Sequence, residues 1–185
     1  GENKISFPPT LLFSLFGDHP DVRMTATSDL KDAGEKLYLV GESMDELGAS
    51  EISFMFRDEN SSMGIGGNVP SLPNPENNLN TYRTLSRTIR QGLVQTSHDC
   101  SEGGVGVAIA EMCIGGRIGA TIDLDGTGDN SLWARLWGES LGRFIIGVKP
   151  ENEDKWLNEM VGHKITYLGK TEQQKNLIIS DGFDE

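Results

Sequence analysis

Two consecutive segments in the middle of the chain carry apolar residues at helical spacing, and these segments constrain the fold more than any other feature. The first covers residues 79–96, and its apolar face consists of Leu79, Tyr82, Leu85, Ile89 and Leu93. The second ends at Gly115-Gly116, a common helix end, and its face consists of Val105, Ala108, Ile109, Met112 and Cys113. The spacing predicts two amphipathic helices, and each needs another layer on which to bury its apolar face.

Short apolar segments bounded by turn residues predict a β-sheet as that layer. The clearest strands are residues 36–41, 118–124 and 143–148, and residues 164–168 and 176–179 close the chain as two further strands. Their alternation with helical segments predicts an α/β (α+β) fold in which helices pack on a mixed sheet.

Two shorter helices are predicted between these strands. Residues 131–137 form one, with Ser131 or Asn130 as its N-terminal cap. Pro150, followed by acidic residues that suit a first turn, opens the other. The buried face of this last helix is predicted to consist of Trp156, Leu157, Met160 and Val161.

The remaining segments are less regular. Residues 5–16 predict an extended segment whose apolar part, residues 11–16, forms a buried strand, and residues 22–27 predict a short strand. Residues 57–78 combine Gly, Pro, Ser and Asn with few apolar residues, which predicts a long flexible loop. The length fits a single domain over residues 1–185.

The charge of the chain excludes some classes of partner. Sixteen Lys and Arg stand against 28 Asp and Glu, so the formal net charge is -12 and non-specific nucleic-acid binding is disfavoured. Because no apolar run approaches the length of a membrane span, no membrane partner is expected. The two cysteines, Cys100 and Cys113, form neither a metal array nor a disulfide framework, which favours a cytoplasmic setting.

The most distinctive segment lies at the start of the second predicted helix. Asp99, Ser101, Gly103 and Gly104 combine helix-capping side chains with glycines that leave backbone N–H groups open. A helix N-terminus of this kind predicts a site for a phosphate or nucleotide. The alternative is that Asp99 and Ser101 only cap the helix and the glycines only allow tight packing.

A second candidate segment leads from a helix into a strand. It combines the carboxylate of Glu139, the hydroxyl of Ser140 and the guanidinium of Arg143. Arg143 is suited to pair with a phosphate in a bidentate manner, and equally suited to form a local salt bridge with Glu139.

The residues alone indicate no catalytic group and no metal site. His98 is adjacent to Asp99 and Cys100, but neighbours in sequence point in different directions, so adjacency is poor support for a catalytic triad. Asp123, Asp125 and Asp129 are interpreted as a solvated acidic turn rather than a divalent-cation site.

A family resemblance covers nearly the whole chain. The segment HDCSEGGVGVAIAEM at residues 98–112 resembles the "HDxSxGGLxxALAE" element of C-terminal domains related to aminoimidazole ribonucleotide synthetase, and more narrowly of phosphoribosylformylglycinamidine synthase, synthetase (large or II) subunit. In the same order, FPPT at 7–10 resembles "PTP" and LGASE at 47–51 resembles "LGGSE". GES, RF and VKPENE between 138 and 153 resemble "GESQSRF…VKPENE".

The resemblance implies the second C-terminal domain of a larger ATP-dependent C–N ligase, which amidates formylglycinamide ribonucleotide in purine biosynthesis. It implies ATP and Mg²⁺ for the parent enzyme, with no cofactor held tightly by this chain alone. The implied partners are upstream N-domains of the same polypeptide, a glutaminase subunit, and nucleotide or ribonucleotide ligands. The chain by itself is expected to be inactive.

One departure bears on the candidate site. Leu141 stands where the family motif has Gln, which fits a structural or auxiliary role better than a grip on substrate. The same domain type occurs in sister enzymes: aminoimidazole ribonucleotide synthetase, selenophosphate synthetase, thiamine-monophosphate kinase and a hydrogenase maturation factor. A non-catalytic binding module is the alternative from another class.

Overall fold

The computed structural model describes residues 12–56, 67–128 and 131–182 of the 185-residue chain. The strands are β1 (Lys36–Val40), β2 (Thr96–Asp99), β3 (Gly119–Asp123), β4 (Phe144–Val148), β5 (Ile165–Glu172) and β6 (Leu177–Ser180). The helices are α1 (Glu51–Met55), α2 (Pro75–Arg90), α3 (Gly104–Gly116), α4 (Leu132–Trp137) and α5 (Glu153–Glu159), and two 3₁₀ turns span Val22–Met24 and Pro150–Asn152.

The six strands form one mixed sheet in the order β2-β4-β1-β5-β3-β6. β3 and β6 pair in parallel, whereas the other neighbouring strands pair antiparallel. Helices cover both faces of this sheet, so the predicted fold class, a mixed sheet with helices packed on it, is confirmed.

The two faces carry separate cores. On one face, α3 packs Val105, Ile109 and Met112, all fully buried, against the sheet. On the other face, α2 and α5 cover the sheet, and Trp156 is fully buried beside Tyr38, with ring centroids 4.9 Å apart. Trp156 in α5 and Met160 directly after it are buried as predicted, but Val161 is 77% exposed because the helix ends at Glu159.

The long helix α2 differs from its prediction at both ends. It begins at Pro75, where the Asn74 side chain accepts the Asn77 N–H and caps the helix. It ends at Arg90, before the positive-φ residue Gly92, rather than at Thr96. Leu93 and Val94 are buried, so they continue the apolar pattern although they lie past the helix. Strand β2, which comes directly after them, was missed for that reason.

The strand predictions at the start of the chain are wrong where the structure describes them. Leu12, Phe13, Leu15 and Phe16 belong to no strand and are 83–98% exposed. An apolar run indicates what a segment can bury, whereas burial also needs a surface to pack against. Within the predicted strand at 22–27, Val22–Met24 forms a 3₁₀ turn and Thr27 makes an isolated bridge to Thr96. Residues 5–11 lie outside the described residues.

The predicted loop at 57–78 lies partly outside the described residues, at 57–66. Residues 67–74 have no regular structure, and residues 75–78 belong to α2. Within the part of the chain that the structure describes, no helix combines the length and apolar character needed to cross a membrane.

Candidate functional site

The two candidate segments meet because β2 and β4 are neighbours in the sheet. Their antiparallel register places Asp99 opposite Phe144, and the Cys100 N–H donates to the Arg143 carbonyl at 2.9 Å. The loop after β2 therefore lies beside the loop before β4. This pairing brings residues 99–104 and 138–143 together, although about 40 positions separate them in sequence.

A cleft of about 660 Å³ opens at this junction. Four of the predicted site residues line it, namely Asp99, Ser101, Glu139 and Arg143. Leu141, which the motif comparison had placed at the site, also lines the cleft, as do Tyr82 and Glu102, which the sequence prediction missed. Tyr82 comes from α2, and its position on a helical apolar face carries no signal that its ring reaches a cleft.

The two backbone donors predicted to face an anion, those of Gly103 and Gly104, are already engaged by the protein. The Gly103 N–H donates to Glu139 Oε1 at 2.9 Å, and the Gly104 N–H donates to the Ser101 carbonyl at 3.0 Å. Glu139 Oε1 also accepts the Glu51 N–H at 2.8 Å, at the start of α1. The anion at this helix terminus is therefore the carboxylate of Glu139.

The predicted caps of α3 are wrong. Gly103 occupies the cap position with a φ of 77°, and no side chain of the cap residue bonds to the helix. Ser101 Oγ instead donates to Asp99 Oδ2 at 2.7 Å, within the loop. Asp99 itself closes strand β2. The capping carboxylate comes from residue 139 because strand pairing, not local sequence, brings it to this helix end.

Gly104 permits close packing of two helices. A Cβ at this position would lie 2.4 Å from the Gly138 carbonyl oxygen and 3.0 Å from that of Leu136, and the φ of Gly104 is +62°. Two residues on, a Cβ at Gly106 would lie 2.7 Å from the Trp137 ring. The backbone of α3 thus approaches the end of α4 more closely than any side chain allows.

Arg143 forms no salt bridge with Glu139 among the described residues, and its guanidinium donors bond to groups within the protein. Its side chain is 1% exposed and donates to the Ser140 carbonyl at 3.0 Å, to Ser43 Oγ at 2.9 Å and to the Gly138 carbonyl. Burial lowers the pKa of the guanidinium. Arg143 therefore holds the backbone on both sides of Glu139.

Ser140 completes this arrangement on the other side of the loop. It is fully buried, and its Oγ accepts the Met44 N–H at 3.0 Å. Glu139, Ser140 and Arg143 together join the segment at 43–51 to the start of α3 and to β4. These three residues, here called the latch, connect three loops through polar contacts.

The groups around Asp99 do not form a nucleophilic triad. The Ser101 hydroxyl donates to Asp99 and not to His98, whose Nδ1 lies 3.4 Å from Asp99 Oδ1 and whose Nε2 lies 2.9 Å from Glu111 Oε2. The hydrogen bond from Ser101 lowers the pKa of the Asp99 carboxyl. Burial raises the pKa of the Cys100 thiol to about 12, so its thiolate is scarce at neutral pH.

The acidic turn lies away from this cleft. Asp123 Oδ1 accepts the backbone N–H groups of Asp125 at 2.8 Å and of Gly182 at 2.9 Å, which lowers the pKa of Asp123. Asp129 lies outside the described residues. Among the residues that are described, no group of three or more His, Cys, Asp and Glu side chains is placed to hold a metal ion.

The accessible groups of the cleft are mainly hydrogen-bond acceptors. Asp99, Glu102 and Glu139 contribute carboxylates, while the guanidinium of Arg143 points its donors into the protein. The cleft therefore suits hydroxyl groups, amines or a bound cation better than a bare phosphate.

Known proteins share this sequence pattern and this architecture. The family model described as AIR synthase related protein, C-terminal domain, matches residues 32–182. Thermotoga maritima PurL complexed with FGAR superposes with a TM-score of 0.69 at 17% identity, over 86% of this chain and 27% of that one. Phosphoribosylformylglycinamidine synthase II from Thermotoga maritima superposes with a TM-score of 0.67 at 18% identity, over 88% and 26%.

A protein of another function shares the architecture. HypE of E. coli, a hydrogenase maturation protein, superposes with a TM-score of 0.57 at 15% identity, over 83% of this chain and 48% of that one. The chain thus spans about a quarter of the matched Thermotoga chains and about half of HypE. At these identities, the similarity to solved structures shows the fold.

Proposed function

The chain belongs to the family of AIR synthase related protein C-terminal domains, and from this membership we propose that it is the C-terminal domain of an ATP-dependent phosphoribosylformylglycinamidine synthase. The parent enzyme is a C–N ligase that amidates formylglycinamide ribonucleotide in purine biosynthesis. Residues 1–185 form one domain of that longer polypeptide. The domain contributes binding and support, and it is inactive alone.

One observation carries the proposal. Two segments that resemble separate motifs of this enzyme, at 98–104 and 138–143, line a single cleft. A third such segment, at 47–51, is joined to them because Glu51 and Gly103 donate to the same carboxylate oxygen of Glu139. The residues that carry the resemblance are therefore neighbours in space, which supports a shared role at one ligand site.

The cleft fits a ligand that brings positive charge or hydroxyl groups. Mg²⁺ is commonly held by one or two carboxylates together with substrate phosphates, and Asp99 and Glu102 offer such carboxylates at the cleft. The lowered pKa keeps Asp99 ionised at neutral pH, as a ligand must be. When bound, Mg²⁺ would supply the positive charge that faces the phosphates of ATP.

The candidate roles of the other site residues change accordingly. Ser101 orients Asp99 through its hydrogen bond, while Gly103 and Gly104 serve the packing of α3. Glu139, Ser140 and Arg143, the latch, fix the wall of the cleft.

Those partners are proposed from the family. N-domains of the same polypeptide would contribute most of the ATP site, and a glutaminase subunit would deliver ammonia in the cytoplasm. PurL of Thermotoga maritima has been solved in complexes with ATP and with FGAR, which supports a nucleotide and a ribonucleotide as ligands of the parent enzyme.

The test is phosphate release in the presence of ATP, Mg²⁺, ammonia and formylglycinamide ribonucleotide. The 185-residue chain alone should show no turnover, and measured turnover would contradict its dependence on other domains. In the full-length polypeptide, Asp99→Asn should lower the rate at least about tenfold, since it removes a charged ligand group. Asp125→Asn, in the acidic turn away from the cleft, is the matched control.

Equal rates of phosphate release for Asp99→Asn and the unaltered polypeptide would show that the cleft is not part of the ligand site. A full-length polypeptide that hydrolyses ATP with the substrate of a sister enzyme, and not with formylglycinamide ribonucleotide, would favour that enzyme. If ATP were hydrolysed with none of these substrates, the alternative of a non-catalytic binding module would be favoured.

A further inference from the structure

Strand β6 leaves one of its edges open. In its parallel pairing with β3, the Asn176 carbonyl accepts the Ala120 N–H at 3.1 Å and the Ser180 carbonyl accepts the Leu124 N–H at 2.9 Å. Because the backbone groups of successive residues in a strand face opposite edges, those of Leu177 and Ile179 face outward. Among the described residues no strand pairs with this edge. Such an edge is a template for an added strand.

An apolar groove lies directly beside that edge. It has a volume of about 350 Å³ and runs between the C-terminal end of α3 and the start of β6. Its apolar wall includes Cys113, Ile114, Ile118 and Leu177, and Ile114 is 76% exposed. Alternate side chains of a strand added to β6 would point toward this groove, because side chains alternate between the two faces of a sheet.

Two cations stand at one end of the groove. Arg117 follows α3 and Lys175 precedes β6, and both line the groove. Because β3 and β6 are parallel and each cation lies two residues before its strand, both lie at the same end of the sheet. Neither forms a salt bridge with a carboxylate among the described residues. On a chain of net charge -12 they mark a local positive end.

From these observations we propose that the outer edge of β6 binds an extended peptide segment as a seventh strand. Apolar residues at alternate positions of the segment fill the groove, and acidic residues at one end pair with Arg117 and Lys175. The partner is an acidic, apolar segment of another protein or domain.

The positive charge beside the edge favours such a partner over a second copy paired through the same edge. β6 reads Leu-Ile-Ile-Ser and carries no carboxylate of its own, and the carboxylate of Asp181, which follows it, is already paired with Arg135. The strand also lacks the charged residues that commonly discourage pairing at an edge, and Ile178 is 55% exposed on its other face.

The test uses a fluorescein-labelled peptide of sequence ITVTIDE, with ITVTIKK as the matched control for charge. Binding to the 185-residue chain is monitored by fluorescence polarisation. ITVTIDE should bind at least about tenfold more tightly than ITVTIKK, because the control places like charges at the cationic end. Raising the NaCl concentration from about 0.05 to about 0.5 M should reduce the difference in affinity between the two peptides, because salt screens the charges.

Variants locate the site. Lys175→Glu should weaken binding of ITVTIDE about fivefold to tenfold, and Arg117→Asn, chosen because Asn tolerates the φ of 57° at that position, about twofold to fivefold. Lys155→Glu on α5 makes the same change of charge on the opposite side of the sheet and should leave binding unchanged. In hydrogen exchange, the peptide should protect the Leu177 and Ile179 amides.

Several results would overturn the proposal. Equal affinity for the two peptides, or unchanged binding by Lys175→Glu, would remove the role of the cations. If the peptide protected the amides of β2 from hydrogen exchange instead of those of β6, the binding site would lie at the other edge of the sheet. Protection of Leu177 and Ile179 without peptide, together with a mass that rises with concentration, would assign the edge to a second copy. Laurate, a small amphiphile, is tested in parallel. If laurate bound and ITVTIDE did not, the groove would be assigned to an amphiphilic ligand.

Discussion

The carboxylate of Glu139 accepts the backbone N–H of Gly103 at 2.9 Å, and the same oxygen accepts the N–H of Glu51 at 2.8 Å. One side chain thus caps the starts of two helices that are far apart in sequence. Arg143 holds the carbonyl groups of the residues on either side of Glu139, and so aims that carboxylate.

Removal of this cap should destabilise the fold. Glu139→Ala leaves two helix-terminal donors without their acceptor, and we expect a loss of about 2 kcal/mol in the free energy of unfolding. Glu139→Gln keeps one acceptor oxygen and should lose less. Urea denaturation measures both, with Glu102→Ala, a neighbouring exposed carboxylate, as the control expected within about 0.5 kcal/mol. Equal stability of Glu139→Ala and Glu102→Ala would contradict the capping role.

The backbone approach at Gly104 gives a second prediction. Gly104→Ala combines a positive φ with a Cβ that would lie 2.4 Å from the Gly138 carbonyl oxygen, so we expect a loss of about 3 kcal/mol or more. Gly92→Ala is the matched control, because its φ is +69° but nothing lies within 4 Å of its Cβ. It should cost only about 1–2 kcal/mol. Thermal unfolding of the pair separates the steric cost from the conformational one.

The tight packing at Gly104 also affects ligand studies. A larger residue there, such as Gly104→Asp, disturbs the packing of α3 on α4. Lost nucleotide binding in such a variant would report on the fold and not on a phosphate contact, which is why Asp99→Asn is the more informative change.

The buried guanidinium of Arg143 gives a third prediction. Arg143→Lys cannot reach the Ser140 carbonyl, the Gly138 carbonyl and Ser43 Oγ together, so it loses part of this buried hydrogen-bond network. We expect a loss of about 2–3 kcal/mol in chemical denaturation. Arg83→Lys on the exposed surface of α2 should change stability by less than about 0.5 kcal/mol. If both substitutions changed the stability by a similarly small amount, the latch would not depend on the several donors of the Arg143 guanidinium.

The hydrogen bond from Ser101 to Asp99 predicts a pH dependence. It lowers the pKa of Asp99 below the ordinary value of 3.8, so the folded state binds the proton less readily than the unfolded chain. The stabilisation that the ionised Asp99 gains from this hydrogen bond is present above about pH 3.8, and it is lost as the pH falls through the lowered pKa of Asp99. In Ser101→Ala, the pKa of Asp99 measured by NMR should rise. The lowered pKa of Asp123, which depends on the backbone N–H groups of Asp125 and Gly182, serves as the internal control. An Asp99 pKa that stays low in Ser101→Ala would assign the shift to another group.

Much of the fold could be predicted from local pattern. The helical spacing of Val105, Ile109 and Met112 predicted α3, and the apolar runs at 36–41 and 143–148 predicted the strands at the centre of the sheet. Ser131 or Asn130 was predicted as the cap of α4, and the Ser131 side chain does accept the Ala134 N–H. These features depend on residues within a few positions of one another, where propensity and periodicity operate.

The site could be predicted only in part. The segments at 98–104 and 138–143 were both singled out, but the donors expected to face a phosphate are bonded to Glu139 and to the Ser101 carbonyl. Arg143 was predicted to pair with a phosphate or with Glu139, but it is buried and bonds to Ser43 and to the Ser140 carbonyl. The partners that local pattern could not supply are the distant ones, namely Glu139 for the Gly103 N–H and Ser43 for Arg143.

The sequence by itself determined most of the helices and strands, the family and the residues that belong to its motifs. Only the tertiary structure decided that Glu139 caps Gly103, because these residues meet through the antiparallel register of β2 and β4. It also decided that Leu12 and Phe16 stay exposed although their segment is apolar. The physical reason is the same for both: a contact between distant residues depends on which surfaces the sheet order places side by side, and local sequence carries no direct record of that order.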